Sequence, residues 1–153
     1  MSRRLNNVRN IPSDLVVKFG DINVRNGELL RLSQVESVPS FSYNLDRNKY
    51  YMLVIVDPDA PAGFFIHLCR YNMSSSSGGV LYYKYKPPSP PAGSGPNGDG
   101  EHRYYCILYE QGGRVGRLGE GERVFKDYMD FRCLFGDLRP VVYKYFRCKN
   151  GLI

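Results

Sequence analysis

One run, Tyr50-Tyr51-Met52-Leu53-Val54-Ile55-Val56, limits what this chain can fold into more than any other stretch. Its aromatic and β-branched residues follow one another without a polar break, which reads as an interior strand of a sheet. The strand runs into Asp57-Pro58-Asp59-Ala60-Pro61. Proline stops it, because proline has no N–H to give to the ladder. Two carboxylates therefore sit at a strand end. Locally this is a turn, since Asp-Pro starts turns wherever it occurs. Only distant residues can give it a further role.

Two such residues are His67 and His102, the only histidines in the chain, each inside another strand-like run. In Phe64-Phe65-Ile66-His67-Leu68-Cys69-Arg70-Tyr71, period-2 alternation predicts Phe65, His67, Cys69 and Tyr71 on one face. In His102-Arg103-Tyr104-Tyr105-Cys106-Ile107-Leu108-Tyr109, it puts His102 beside Tyr104, with Arg103 and Tyr105 facing the other way. Taken singly, either histidine reads as a core residue. Taken with the Asp-Pro-Asp corner, they form a set.

That set resembles the signatures of the phosphatidylethanolamine-binding protein family, also called the Raf kinase inhibitor protein family. The first is an Asp-Pro-Asp-Ala-Pro corner, here Asp57 to Pro61. The second is a Gly-x-His-Arg-Tyr strand start, here Gly100-Glu101-His102-Arg103-Tyr104. Between them the family carries an aromatic, a histidine and an Asn-Met or similar pair, matched by Phe65, His67 and Asn72-Met73. The likeness includes Leu15-Val16-Val17-Lys18-Phe19, Leu32-Ser33-Gln34-Val35 and Pro39 upstream and Tyr109-Glu110-Gln111 and Phe131-Arg132 downstream, and covers roughly residues 15 to 146.

The resemblance implies one mainly β domain over residues 1–153, with two packed, largely antiparallel sheets and one helix near the C-terminus. It implies a ligand cavity built from Asp57, Asp59, Pro61, Phe65, His67, His102 and Tyr104, with no catalytic residue, cofactor or metal. Family members are described as phospholipid-headgroup binders, modulators of kinase signalling and, in some cases, protease inhibitors. The implied ligand is phosphoethanolamine or another phosphate-bearing small molecule, with a membrane surface or a signalling protein as further partners. A cis peptide at Ala60-Pro61 is also implied, as is a Pro/Gly rim whose proline is either Pro91 or Pro96. There are two departures. Only Ala62-Gly63-Phe64 separates Pro61 from Phe65, where animal relatives carry a longer charged loop, so kinase contacts made by that loop do not carry over. The sequence stops at Ile153, where longer relatives continue into a helix beside the cavity, so a wider and less selective mouth is expected.

A cavity of this kind suits a phosphate monoester or diester, with imidazole N–H and Tyr104 O–H groups as donors. The aspartates are expected to accept from His67 or His102 and to receive an ammonium group of the ligand. The same residue types serve acid–base catalysis, which makes a hydrolase or metal-dependent transferase the alternative. The chain has no Gly-x-Ser-x-Gly elbow, P-loop or His-Glu-x-x-His to support it.

At 153 residues the chain can bury a core without disulfides. Cys69, Cys106, Cys133 and Cys148 form no Cys-x-x-Cys pair and read as reduced thiols, in a spacing that fits no common zinc site. Asn72-Met73-Ser74 reads as an unused glycosylation sequon. No apolar stretch approaches a bilayer span, and Met1 to Asn7 lacks a signal-peptide core, so the expectation is a soluble, cytoplasmic monomer. The net charge of +6 lies mostly after residue 61 and favours anionic partners. The basic residues are scattered singly, which leaves a nucleic-acid-binding surface as a weaker alternative.

Along the chain, residues 1–12 form a candidate disordered arm. Asn26-Gly27 predicts a hairpin turn, and Leu29 to Leu32 and Ser40 to Tyr43 predict short strands. Ser74 to Gly79 and Lys86 to Gly100 read as loops, the second rich in proline and then glycine. Val124, Phe125, Tyr128 and Met129 fall on one face of a helix predicted over Glu122 to Phe131. Pro140 to Phe146 reads as a last strand.

Overall fold

The computed structural model describes residues 15–119 and 121–153, so the arm expected at 1–12 lies outside the described residues. The central run becomes β5 (Tyr51–Asp57), buried at every position. It pairs antiparallel with β6 (Phe64–Met73) on one side and β8 (Glu101–Gln111) on the other. The sheet continues through β7 (Val80–Tyr83) beyond β6, and through β10 (Leu138–Lys149) and β3 (Glu28–Leu29) beyond β8. A short strand, β9 (Val124–Phe125), also pairs with β6. A second sheet joins β2 (Ile22–Asn23), β1 (Val16–Phe19) and β4 (Ser40–Ser42). Every pairing is antiparallel except β3 with β10.

The unbroken apolar run is explained by cover on both faces of β5. Tyr51, Leu53 and Ile55 join Leu15, Val17 and Phe19 of the small-sheet side in one core, together with Tyr104, Cys106 and Phe146. Met52, Val54 and Val56 face the opposite core, where Tyr128, Phe131 and Phe135 cover Tyr105, Ile107 and Tyr109. A strand alternating toward two dry layers has no position for a polar side chain. The mainly β fold of two sheets and one short helix near the C-terminus matches the expectation.

Several local expectations fail for identifiable reasons. The helix α1 spans only Tyr128–Arg132, because Asp127 is its N-cap and accepts from Met129 N at 2.9 Å. The residues before the cap are extended, and Val124 and Phe125 pair with Phe65 and Phe64. Met129 is exposed, and the buried face is Tyr128 with Phe131. Asn26-Gly27 turns no hairpin: β2 pairs with β1 across Gly20 and Asp21. Asn26 Oδ1 instead accepts from Tyr145 N, and Gly27 N donates to Tyr145 O, which steers β3 alongside β10. After Leu29 the chain leaves the sheet and forms a 3-10 turn at Leu32–Val35.

The alternation through β6 also breaks. Ile55 pairs with Leu68 and Val56 with Ile66, so His67 is the extra residue of a β-bulge. Phe64 and Ile66 before it, and Cys69 and Tyr71 after it, all face the helix-covered core. Cys69 and Tyr71 therefore do not share a face with His67. Asn72 carries a left-handed φ of 57°, and its side chain bonds Val115 and Gln111, so the sequon nitrogen is already committed. The four cysteines are free thiols, of which only Cys133 is exposed. Among the described residues no helix is long and apolar enough to cross a membrane.

Candidate functional site

A cavity of about 330 Å³ opens where β5, β6 and β8 meet the segment after β7. Asp57, Pro61, Phe65, His67, His102 and Tyr104 line it, with Ala60 from the corner and Lys86, Pro87, Ser89, Pro90 and Pro91 from the loop. Asp59 is absent from the wall. The rim proline is Pro91, while Pro96 lies outside. The corner closes by a hydrogen bond from Gly63 N to Ala60 O at 3.1 Å. The implied cis peptide at Ala60-Pro61 is not formed, since the described residues hold no cis bond. The trans form, which X-Pro bonds favour by about 0.5–1 kcal/mol, satisfies the turn.

Asp57 and His102 are both buried and bonded to each other, Oδ2 to Nδ1, at 2.7 Å. Asp57 Oδ1 accepts from Asp59 N at 2.7 Å. Burial pushes the Asp57 carboxyl upward, and the bond to His102 opposes that. His102 Nε2 lies 2.7 Å from Ser94 Oγ, which itself donates to Pro91 O. A hydroxyl has one proton, so Ser94 accepts from His102 and Nε2 carries hydrogen. The remaining proton sits between Nδ1 and Asp57, and the pair is neutral overall. The connectivity Asp57–His102–Ser94 is that of a hydrolytic triad, but its proton points the wrong way. Ser94 is held as an acceptor, not activated as a nucleophile.

Asp59 has a different task. Its Oδ2 accepts from Arg103 N at 2.9 Å and Nε at 2.8 Å, and its Oδ1 from Nη2 at 2.6 Å. This two-pronged clamp ties the corner to the start of β8 on the face opposite His102. Asp59 thus stands outside the cavity wall, with both carboxylate oxygens engaged by Arg103.

His67 stands between Phe65 and Tyr104, with ring centroids 4.7 and 5.2 Å away. Its Nδ1 is 2.5 Å from Lys86 O, a carbonyl that can only accept, so Nδ1 donates. Burial above all lowers the His67 pKa from 6.5 to about 4, and the nearby Arg123 and Lys86 lower it further. The ring is neutral at pH 7, and Nε2 is an acceptor. Tyr104 Oη has no partner among the described residues, and burial raises its pKa, so it remains an O–H donor. Lys86 Nζ lies 5.5 Å from the centroid of the Phe65 ring and brings a cation to the mouth. Both histidines spend their N–H groups on protein acceptors, so among the described residues lining the cavity the side-chain donors without a protein acceptor include the expected Tyr104 Oη and, in addition, Lys86 Nζ. Lys86 and Ser94 were not legible as site residues. Lys86 directly precedes Pro87-Pro88, and Ser94 stands between two glycines, but neither pattern names a contact.

Among the described residues no three His, Cys, Asp or Glu side chains form a group that could hold a metal ion. The fold and these motifs together place the chain in a known group. Residues 22–134 match the family model described as phosphatidylethanolamine-binding protein, and the chain belongs to that family. It is similar to Protein FLOWERING LOCUS T of Arabidopsis thaliana, 31% identical over 146 residues, covering 89% of this chain and 79% of that protein. Protein TWIN SISTER of FT from the same plant is 30% identical over 147 residues, with the same coverage. Protein MOTHER of FT and TFL1 homolog 2 of rice (Oryza sativa subsp. japonica) is 32% identical over 114 residues, 68% of this chain and 62% of the rice protein. A crystal structure of a phosphatidylethanolamine-binding protein homolog from Chlamydia trachomatis shares the fold. Its TM-score is 0.53 at 19% identity, over 90% of this chain and 97% of that one.

Proposed function

We propose that the protein is a binding and regulatory module whose cavity takes a small phosphate-bearing ligand, such as a phospholipid headgroup or a phosphorylated small molecule. The observation that carries this is the pairing of a cation and a phenol O–H, Lys86 and Tyr104, around a cavity whose one histidine–aspartate pair is neutral overall. Apolar walls from Phe65 and Pro61 strengthen each polar contact by excluding water. Both carboxylates are already engaged, Asp57 by His102 and Asp59 N, and Asp59 by Arg103. The phosphate is therefore the recognised part, and an attached amine stays at the mouth. Family membership and a relative named for flowering support a regulatory over a catalytic role, as does the orientation of Ser94.

The test is an NMR titration with inorganic phosphate and phosphoethanolamine at millimolar concentration. Signals from Asp57 to Pro61, Phe65 to His67, Lys86 to Pro91 and His102 to Tyr104 should move together. An unchanged spectrum sinks the reading.

A further inference from the structure

We infer that the cavity selects anions that carry their own proton, taking a phosphate monoester as its hydrogen-bearing monoanion, with the P–OH donated to His67 Nε2. The inference rests on the phosphate-ligand reading above and concerns which phosphate is taken. It follows from counting protons. His102 is sealed at both nitrogens by Asp57 and Ser94. The Nδ1 proton of His67 is held by Lys86 O, so the ring can offer only the Nε2 lone pair. No described residue bonds Nε2. Among the described residues the one fully buried side-chain polar atom without a partner is Arg132 Nε, so Nε2 keeps contact with open space, as does Tyr104 Oη.

The charges around the cavity agree. The groups facing His67 are the Lys86 ammonium, the His102–Asp57 pair, the Tyr104 phenol and Arg123, whose guanidinium bonds the carbonyls of Ile66 and His67. With the pair neutral and His67 neutral, Lys86 is the cation that lines the cavity, and a monoanion balances it. A phosphate monoanion supplies a P–OH for Nε2 and anionic oxygens for Tyr104 and Lys86. A sulfate monoester has the same shape and charge but no proton, so it must wait for His67 to be protonated at Nε2. A phosphodiester faces the same demand. In each case the cavity anion complex holds one proton between ligand and His67, and binding a phosphate dianion takes that proton from solvent.

The magnitudes follow from two titrations. With the ring titrating at about 4 and a phosphate monoester at about 6, a phosphate monoester should bind roughly a hundredfold more tightly than its sulfate analogue above pH 6. Its affinity should fall about tenfold per pH unit above that point, while the gap to sulfate narrows below it. The experiment is isothermal titration of the full chain with methyl phosphate, methyl sulfate and dimethyl phosphate at pH 5, 6, 7 and 8, in two buffers of different ionisation enthalpy. The expected result is uptake of close to one proton for methyl phosphate at pH 8, with methyl sulfate and dimethyl phosphate both much weaker at pH 7 and gaining toward pH 5. His67→Gln should collapse the phosphate-to-sulfate ratio, because an amide can donate to either anion. The comparison on the unaltered protein stands alone if that variant fails to fold. Equal affinity for methyl phosphate and methyl sulfate without proton uptake overturns this inference while leaving an anion cavity in place. Failure of all three anions to bind overturns the phosphate reading as well.

Discussion

Replacing Asp57 by asparagine should leave the fold nearly as stable as before, whereas replacing it by alanine should cost several kcal/mol. Asp57 holds two donors, the part-buried Asp59 N through Oδ1 and the buried His102 Nδ1 through Oδ2. Asparagine keeps the oxygen that serves Asp59 N. Its amide can donate to Nδ1 once His102 adopts the neutral Nε2–H form, and Nε2 continues to donate to Ser94. Every hydrogen bond survives, and the pair stays neutral overall, so a change within about 1 kcal/mol is expected. Alanine leaves Asp59 N and His102 Nδ1 without partners. Each orphan costs about 1–3 kcal/mol, which gives about 2–6 kcal/mol in all. Urea denaturation at pH 7.5 distinguishes the two, provided that the m-values agree. A loss for Asp57→Asn as large as that for Asp57→Ala would refute the reasoning, because it would show that asparagine does not keep the hydrogen bonds to both Asp59 N and His102 Nδ1.

Lowering the pH should destabilise the protein through His67. Its folded pKa of about 4 lies below the ordinary 6.5, so between these values the unfolded chain binds more protons and stability falls as pH falls. The loss from pH 7.5 to pH 5 is about 2 kcal/mol, and His67→Gln should abolish this part of the pH dependence of the urea midpoint. Arg103→Ala should lower stability by about 1–3 kcal/mol by freeing buried Asp59, yet leave phosphate affinity unchanged in the same NMR titration, since the clamp lies outside the cavity. Gly95→Ala should weaken phosphate binding and stability together. Gly95 has a φ of 91°, and an added Cβ would run into the carbonyl oxygen of Glu101, displacing the rim beside His102. A Gly95→Ala protein with unaltered denaturation and binding would show that the rim is not fixed there.

The parts of the fold legible in the sequence were those that repeat a period over many residues. β5, β6 and β8 carry uninterrupted or alternating apolar runs, and their burial on two faces makes the pattern strong. The failures lie where one local hydrogen bond outweighs periodicity. Asp127 caps a helix that the apolar spacing had started six residues too early. The Asn26 side chain takes a ladder position on β10 that a turn rule cannot foresee. The bulge at His67 is of the same kind: nothing in Ile66-His67-Leu68 announces an extra residue, which is fixed only by pairing with Ile55 and Val56.

The candidate site divides along the same line. Its residues on strands were readable, since the motif names them and the strand ends bring them together, whereas Lys86 and Ser94 are placed by long-range bonds to His67 and His102. The two aspartates show why residue type alone was insufficient. The family resemblance put Asp57 and Asp59 in one cavity, and in a continuous strand positions two apart would indeed share a face. Here Asp57 Oδ1 captures the N–H of Asp59, an Asx-type turn that ends the strand and rotates the next carboxylate away. The rotated group meets Arg103, whose own neighbour in sequence, His102, faces the first aspartate. Alternation in β8 thus sorts one acid to each side: His102 draws Asp57 into the cavity wall, and Arg103 holds Asp59 behind it. The signal available in the sequence was Arg103 itself, a guanidinium opposite His102 at the start of a strand whose following residues are otherwise apolar or aromatic, and so in need of a carboxylate on its own face.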